Sequence, residues 1–220
     1  MARRATTRLR TLLATSLSLA VLPGAAAAHS PSVTYAEPSS PDAAIVLEDP
    51  TLSRALGAVL SVPGETDWYR MDLQAGDPLV VGMTAPDASG AVAATFTLLG
   101  PGLPDLDPTD ERTRGFAELA GVEGGIVFEP LADPPLEVHA GLGFVNYGSL
   151  RSVAPESGTY WIAVTAADPD MTGKYVLAPG VREEFGLESV GGMLDLIAFF
   201  DAPWPEREKP ITDEDEDAEA

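Results

Sequence analysis

Cysteine is absent from all 220 residues. No disulfide staples the fold, so the core or bound ions must hold it together, and cysteine nucleophiles and thiolate metal sites are excluded. Histidine is nearly as scarce: the two are His29 and His139, and a serine triad would have to use His139. No G-x-S-x-G, H-E-x-x-H or P-loop pattern occurs. Positive charge is also short. The chain holds 13 Lys and Arg against 34 Asp and Glu, a net charge of −21, and such a surface repels nucleic acid and anionic lipid. Only Lys174 and Lys209 are lysines; a GC-rich genome and adaptation to high salt both account for that. Long apolar runs are missing too. Leu12 to Leu22 falls short of the about 20 residues that a permanent membrane helix needs.

That apolar run has a different meaning. It follows Arg3, Arg4, Arg8 and Arg10, breaks at Pro23-Gly24 and ends in Ala25 to Ala28, the grammar of a secretory signal peptide. Cleavage is expected after Ala28, and the arginine pair leaves Sec and twin-arginine export both open. Losing residues 1–28 removes four of the 13 basic residues and none of the 34 acids, taking the charge from −21 to −25. The remaining chain divides into a flexible leader at 29–44, a β-sandwich at 45–182, a helical segment at 183–203 and an acidic tail at 204–220. The tail, "EREKPITDEDEDAEA" at its core, buries almost nothing and is expected to be disordered. The product is expected outside the membrane: secreted, periplasmic or on the cell surface.

In the body, Tyr69, Met71 and Leu73 alternate with Trp68, Arg70 and Asp72, the period of a half-buried strand. Leu79, Val81 and Met83 repeat it after "QAGDP", which predicts a hairpin from Tyr69 to Met83. Late in the chain Tyr160, Ile162 and Val164 alternate in the same way, and Tyr175 and Leu177 face inward on a returning strand. Short strands are also expected around Phe96 and Leu98 and around Ile126 and Phe128. With 21 Gly and 20 Pro as punctuation, the fold class is all-β, an antiparallel β-sandwich. Met193, Leu194, Leu196, Ile197 and Phe200, bounded by Pro203, predict one short C-terminal helix docked on it.

The segments "ETDWYRMDLQAGDPLVV", "TLLGPGLP" and "APESGTYWIAVTAADPDMTGKYVLAPG" resemble the bacterial pre-peptidase C-terminal domain and its exported relatives over Ile45 to Gly180. That resemblance implies a jelly-roll-like β-sandwich, attached to secreted enzymes or standing alone, some of whose members bind calcium. No peptidase motif accompanies it here.

Four readings of chemistry follow. Asp105, Asp107, Asp110 and Glu111 lie close enough in "PDLDPTDER" to share calcium, although the loop is not an EF-hand. His29 at a new N-terminus would offer an amine and a ring to copper, with His139 as the second histidine required. Trp68 and Trp161 carry the outward parity of their strands, so they form an exposed aromatic pair for sugar rings or extended polymers unless a segment covers them. The covers considered are the N-terminal segment, the Phe144 to Tyr147 region and the C-terminal helix. Asp168 and Asp170 in "ADPDMTG" read as turn residues. The favoured function is a secreted non-catalytic binding or accessory module whose partner is an extracellular protein or polysaccharide. The alternatives are an exported calcium or copper protein and a metal-dependent hydrolase.

The charge balance generates a first prediction. Carboxylates crowded at low ionic strength repel one another until counter-ions screen them, so the melting temperature should climb as sodium or potassium chloride is added. A flat thermal-melt series would show that the charges are spread or confined to the tail.

Overall fold

A computed structural model describes residues 30–34, 36–139, 141–184 and 187–203. The predicted signal peptide, His29 and the acidic tail lie outside them. Eleven strands and two helices appear among the described residues: β1 Ser30–Val33, β2 Ile45–Val46, β3 Arg54–Leu60, β4 Thr66–Leu73, β5 Pro78–Pro86, β6 Ala94–Leu99, α1 Glu111–Ala120, β7 Gly125–Phe128, β8 Leu136–His139, β9 Leu142–Val153, β10 Gly158–Ala166, β11 Gly173–Pro179 and α2 Leu187–Asp201. The strands form a six-stranded sheet in the order β1-β3-β11-β5-β9-β8 and a five-stranded sheet in the order β2-β4-β10-β6-β7.

The alternation read from the sequence sets the inner faces. Tyr69, Met71 and Leu73 are buried with Leu79, Val81, Met83, Phe96, Leu98, Tyr160, Ile162, Val164, Tyr175 and Leu177 in one cluster fed by both sheets. Ile126 and Phe128 pack at its border, and Phe128 stacks on Phe96 with ring centroids 4.6 Å apart.

Strand partners differ from expectation. β4 and β5 are not a hairpin, because β4 pairs with β10 in one sheet while β5 pairs with β9 and β11 in the other. β10 and β11 part in the same way. The turn at Gln74 to Asp77, closed by Asp77 N–H to Gln74 C=O and by Gln74 N–H to the Asp77 carboxylate, lifts the chain from one sheet to the other. Alternation specifies which side of a strand is buried and leaves its neighbour open. The expected leader also differs. Ser30–Val33 is a strand, and β1 and β2 join β3 and β4 in parallel at the sheet edges, so the structure is not wholly antiparallel.

Two helices stand where one was expected. α2 lies across the outer face of the six-stranded sheet, where Leu196, Phe199 and Phe200 cluster with Ala55 and Val176, and Val33, Val59, Leu142 and Phe144 flank them. Its seat is cut by glycine. A Cβ on Gly192 would land on the Pro31 carbonyl oxygen, and one on Gly57 would meet Leu196 and Phe199 at 3.0 and 3.1 Å. Lys174, only 3% exposed, reaches up from β11 to the C-terminus of the helix. Its Nζ donates to the carbonyls of Phe199 (2.6 Å), Phe200 (3.4 Å) and Ala202, and sits 5.2 Å from the Phe199 ring centroid. Those carbonyls are among the groups a helix end leaves without partners, and a cation there meets the negative end of the helix dipole. Burial draws the Lys174 ammonium below its ordinary pKa, with Asp201 opposing.

Lys174→Met keeps the apolar stem and removes every donor. Each stranded acceptor costs about 1–3 kcal/mol when buried, partly recovered as the helix end frays into water. We expect a loss of about 2–4 kcal/mol in chemical denaturation and protease cleavage within α2 under native conditions. Unchanged stability with an intact α2 would show that apolar contact alone holds the helix.

Candidate functional site

The outer face of the five-stranded sheet is where the sequence placed its aromatic pair. Trp68 does not belong to an exposed platform: it is 1% exposed, packed with Leu99, Ala117 and Ala163, and the Phe116 ring meets it edge-on at 5.6 Å and 86°. The aromatic cover is α1, which none of the three expected covers named; of those three, the N-terminal segment contributes Ala44 to the same cluster. Asp110 caps α1, accepting from Arg112 N–H at 3.0 Å and Thr113 N–H at 3.2 Å, and Gly121 ends it in the left-handed conformation at φ 70°. That is the ordinary chemistry of a helix start and stop. Phe116, Ala117 and Ala120 then fall on the side that meets the sheet.

The same local demands account for the acidic loop expected to hold calcium. Asp107 accepts from both Thr109 N–H (2.8 Å) and Thr109 Oγ1 (2.7 Å), and these bonds hold its carboxyl below the usual range. Asp110 is occupied as the cap, Glu111 begins α1, and Asp105 bridges Gly124 through its backbone. Among the described residues no three His, Asp or Glu side chains gather so as to hold a metal ion. Asp168 accepts from Asp170 N–H at 3.1 Å, the turn expected of it.

His139 sits in β8, exposed, with Nε2 3.0 Å from Glu137 Oε2. Asn146 Nδ2 donates to the other Glu137 oxygen at 2.8 Å, and His139 and Asn146 together hold that carboxyl low. Four strands separate β8 from β1, the strand that follows His29 in the chain. His29 itself lies outside the described residues.

What stays accessible on the outer face is Trp161, partly buried beside α1. It lies directly across from Arg70 on β4 and Leu99 on β6. Arg70 is in none of the ion pairs among the described residues, and its buried Nε has no hydrogen-bond partner. Next along the face, Thr159 Oγ1 donates to Asp72 Oδ1 at 2.7 Å.

Inside, one group escaped the sequence reading. Asp67 is 2% exposed at the start of β4. Tyr175 OH donates to its Oδ2 at 2.6 Å, and Tyr69 OH donates to Tyr175 OH at 2.7 Å, while Asp67 Oδ1 is buried without a partner. Burial, reinforced by Glu65 and Glu37 and opposed by the Tyr175 hydrogen bond, pushes its carboxyl up to about 7; burial also raises both tyrosine hydroxyls. The signal was available: Asp67 has the inward parity of Tyr69, Met71 and Leu73, a charged type on the apolar side of the pattern.

No family model matches the chain, and no curated protein does. Among solved structures, one described as "CorA is a surface-associated copper-binding protein important in Methylomicrobium album BG8 copper acquisition" aligns at TM-score 0.36 and 12% identity, over 63% of this chain and 98% of that one. No helix among the described residues is long and apolar enough to cross a membrane.

With its ring enclosed by α1 and the sheet, Trp68 is a packing residue. Trp68→Ala should lower stability by about 3–5 kcal/mol, as other large core truncations do, measured by urea unfolding. A loss below about 1 kcal/mol, the range of surface changes, would mean that α1 does not cover the ring in solution.

Proposed function

We propose that this chain is an exported, non-catalytic binding module of the pre-peptidase C-terminal type, and that it recognises an extended polysaccharide through the outer face of the five-stranded sheet. One observation carries the reading: Trp161 keeps an open flank beside an arginine that no carboxylate engages among the described residues. An aromatic face supplies stacking and apolar burial for a sugar ring. Arg70 and the Thr159–Asp72 pair supply fixed donors and acceptors for hydroxyls along one edge of the ring. The metal-binding alternative rests on His139, whose ring is oriented by Glu137 and, through it, by Asn146, as an outer carboxylate orients a metal-bound histidine. Native mass spectrometry of the secreted protein with copper or calcium added tests that alternative.

Retention of the secreted protein on chitin, cellulose and peptidoglycan tests the polysaccharide reading. Trp161→Ala should abolish retention on whichever matrix holds the wild type, with a stability loss of about 1–2 kcal/mol for a partly buried ring. Retention of the folded variant equal to wild type, or no wild-type retention on any of the three, would overturn it.

A further inference from the structure

Residues 36–44 run along the edge of β4 beside Asp67. Among the described residues, the one backbone hydrogen bond tying this segment to another element is Trp68 N–H to Pro38 C=O, at 2.8 Å. Its other bonds are local: Ser39 N–H to Glu37 C=O, Ala43 N–H to the Ser40 carbonyl and hydroxyl, and Ala44 N–H to Pro41 C=O. Thr34 N–H to Gly57 C=O on one side and Leu47 N–H to Arg70 C=O on the other pin the chain before and after it. The segment is thus a strap with firm ends and a single hydrogen-bonded tie in the middle, where Pro38 is buried, while Ala44 packs beside the Trp68 cluster.

That tie is made by the residue next to Asp67. The titratable groups around the Asp67 carboxyl are Tyr69 from β4, Tyr175 from β11, Glu65 just before β4 and Glu37 on the strap itself. Both of the charged neighbours that act on it are acids, and neither hydroxyl reaches Oδ1. A neutral carboxyl leaves one uncharged polar group without a partner there, a far smaller cost than an unpartnered charge. An ionised one places a charge, one of its oxygens unpartnered, in a desolvated site, which is among the costliest arrangements in a protein interior. Relief requires water at Oδ1. Parting Tyr69 from Tyr175 to admit water would open the apolar core between the sheets, whereas releasing the strap gives up one inter-element hydrogen bond with the burial of Pro38 and the packing of Ala44, and moves the Glu37 charge away.

We infer that residues 36–44 form a pH-dependent strap, closed while Asp67 is protonated and released when it ionises. The direction follows from which state holds the proton. With the carboxyl raised to about 7 from an ordinary 3.8, the closed form keeps its proton at pH values where an exposed carboxylate has lost it. Stability drawn from the closed form is therefore complete below about 4 and is lost as pH rises through about 7. Opening should grow about tenfold per pH unit across that interval and level off above it.

Hydrogen exchange of the full secreted chain from pH 5 to 9, corrected for intrinsic rates, reads this out. Amide protection at Trp68 and in residues 36–44 should fall about tenfold per unit to near pH 7 and then flatten, with β10 unchanged. Asp67→Asn, which cannot ionise, should give a flat profile. Glu37→Gln removes a like charge and should move the levelling point to lower pH. The inference is overturned by a flat wild-type profile, by an equally steep Asp67→Asn, or by loss of protection spread equally over β6 and β10. If Asp67→Asn fails to fold, an unmoved levelling point in Glu37→Gln overturns it.

Discussion

The two sheets meet through a polar contact in the middle of an apolar core: Tyr69 of one and Tyr175 of the other touch hydroxyl to hydroxyl at 2.7 Å. In a chain without cysteine this contact and the Tyr175–Asp67 hydrogen bond beside it link the two sheets specifically, since apolar packing alone sets distance but tolerates sliding. It also fixes the polar accounting around it. Each hydroxyl has one proton to give, so once Tyr69 donates to Tyr175 and Tyr175 donates to Asp67, nothing remains for the second carboxyl oxygen. Burial, with Glu65 and Glu37 adding to it, then raises the Asp67 carboxyl to about 7, and the single hydrogen bond from Tyr175 offsets only part of that shift.

Outside the core, each sheet carries a helix, and the two are fastened differently. α2 is held by an ammonium that rises through the sheet to its last carbonyls, by Gly192 where backbone meets the Pro31 backbone, and by Gly57, which leaves room for Leu196 and Phe199. α1 is held by a tryptophan ring pointing outward from the sheet into its apolar side. Outward residues on central strands are therefore interior residues as well. Of the outward aromatics read from the sequence, only Trp161 keeps a solvent flank, since Trp68 is fully buried.

Inward parity was legible wherever one face of a strand is buried, as in β4, β5 and β10. β3, "RALGAVL", went unread because Gly57 and its neighbours are buried from both sides, by the core and by α2, which erases alternation. Strand partners were illegible for a different reason: a turn of four residues suits a hairpin and a crossing between sheets equally well. α1 could have been found, since Asp110 and Gly121 bracket a run with Phe116, Ala117 and Ala120 on one side; the density of acids drew attention to cations instead. Trp161 was legible as a candidate, and Asp67 was legible in type but not in consequence. Lys174 was not, because an outward lysine on a strand is unremarkable until a helix end lies over it.

The meeting of Pro31 with Gly192 links the first described strand to the last helix across 160 residues of chain. β1 joins its sheet in parallel with β3 and is roofed by α2. A chain that emerges N-terminus first presents β1 long before its roof exists, and the closure entropy of so long a loop falls due only at the end. Until then the outer-face apolar surface of Val33, Ala55 and Val59 stays bare to the surroundings. The molecule is therefore most exposed to aggregation in the interval before its C-terminal helix arrives, a burden that falls on whatever accompanies the emerging chain and not on the finished fold.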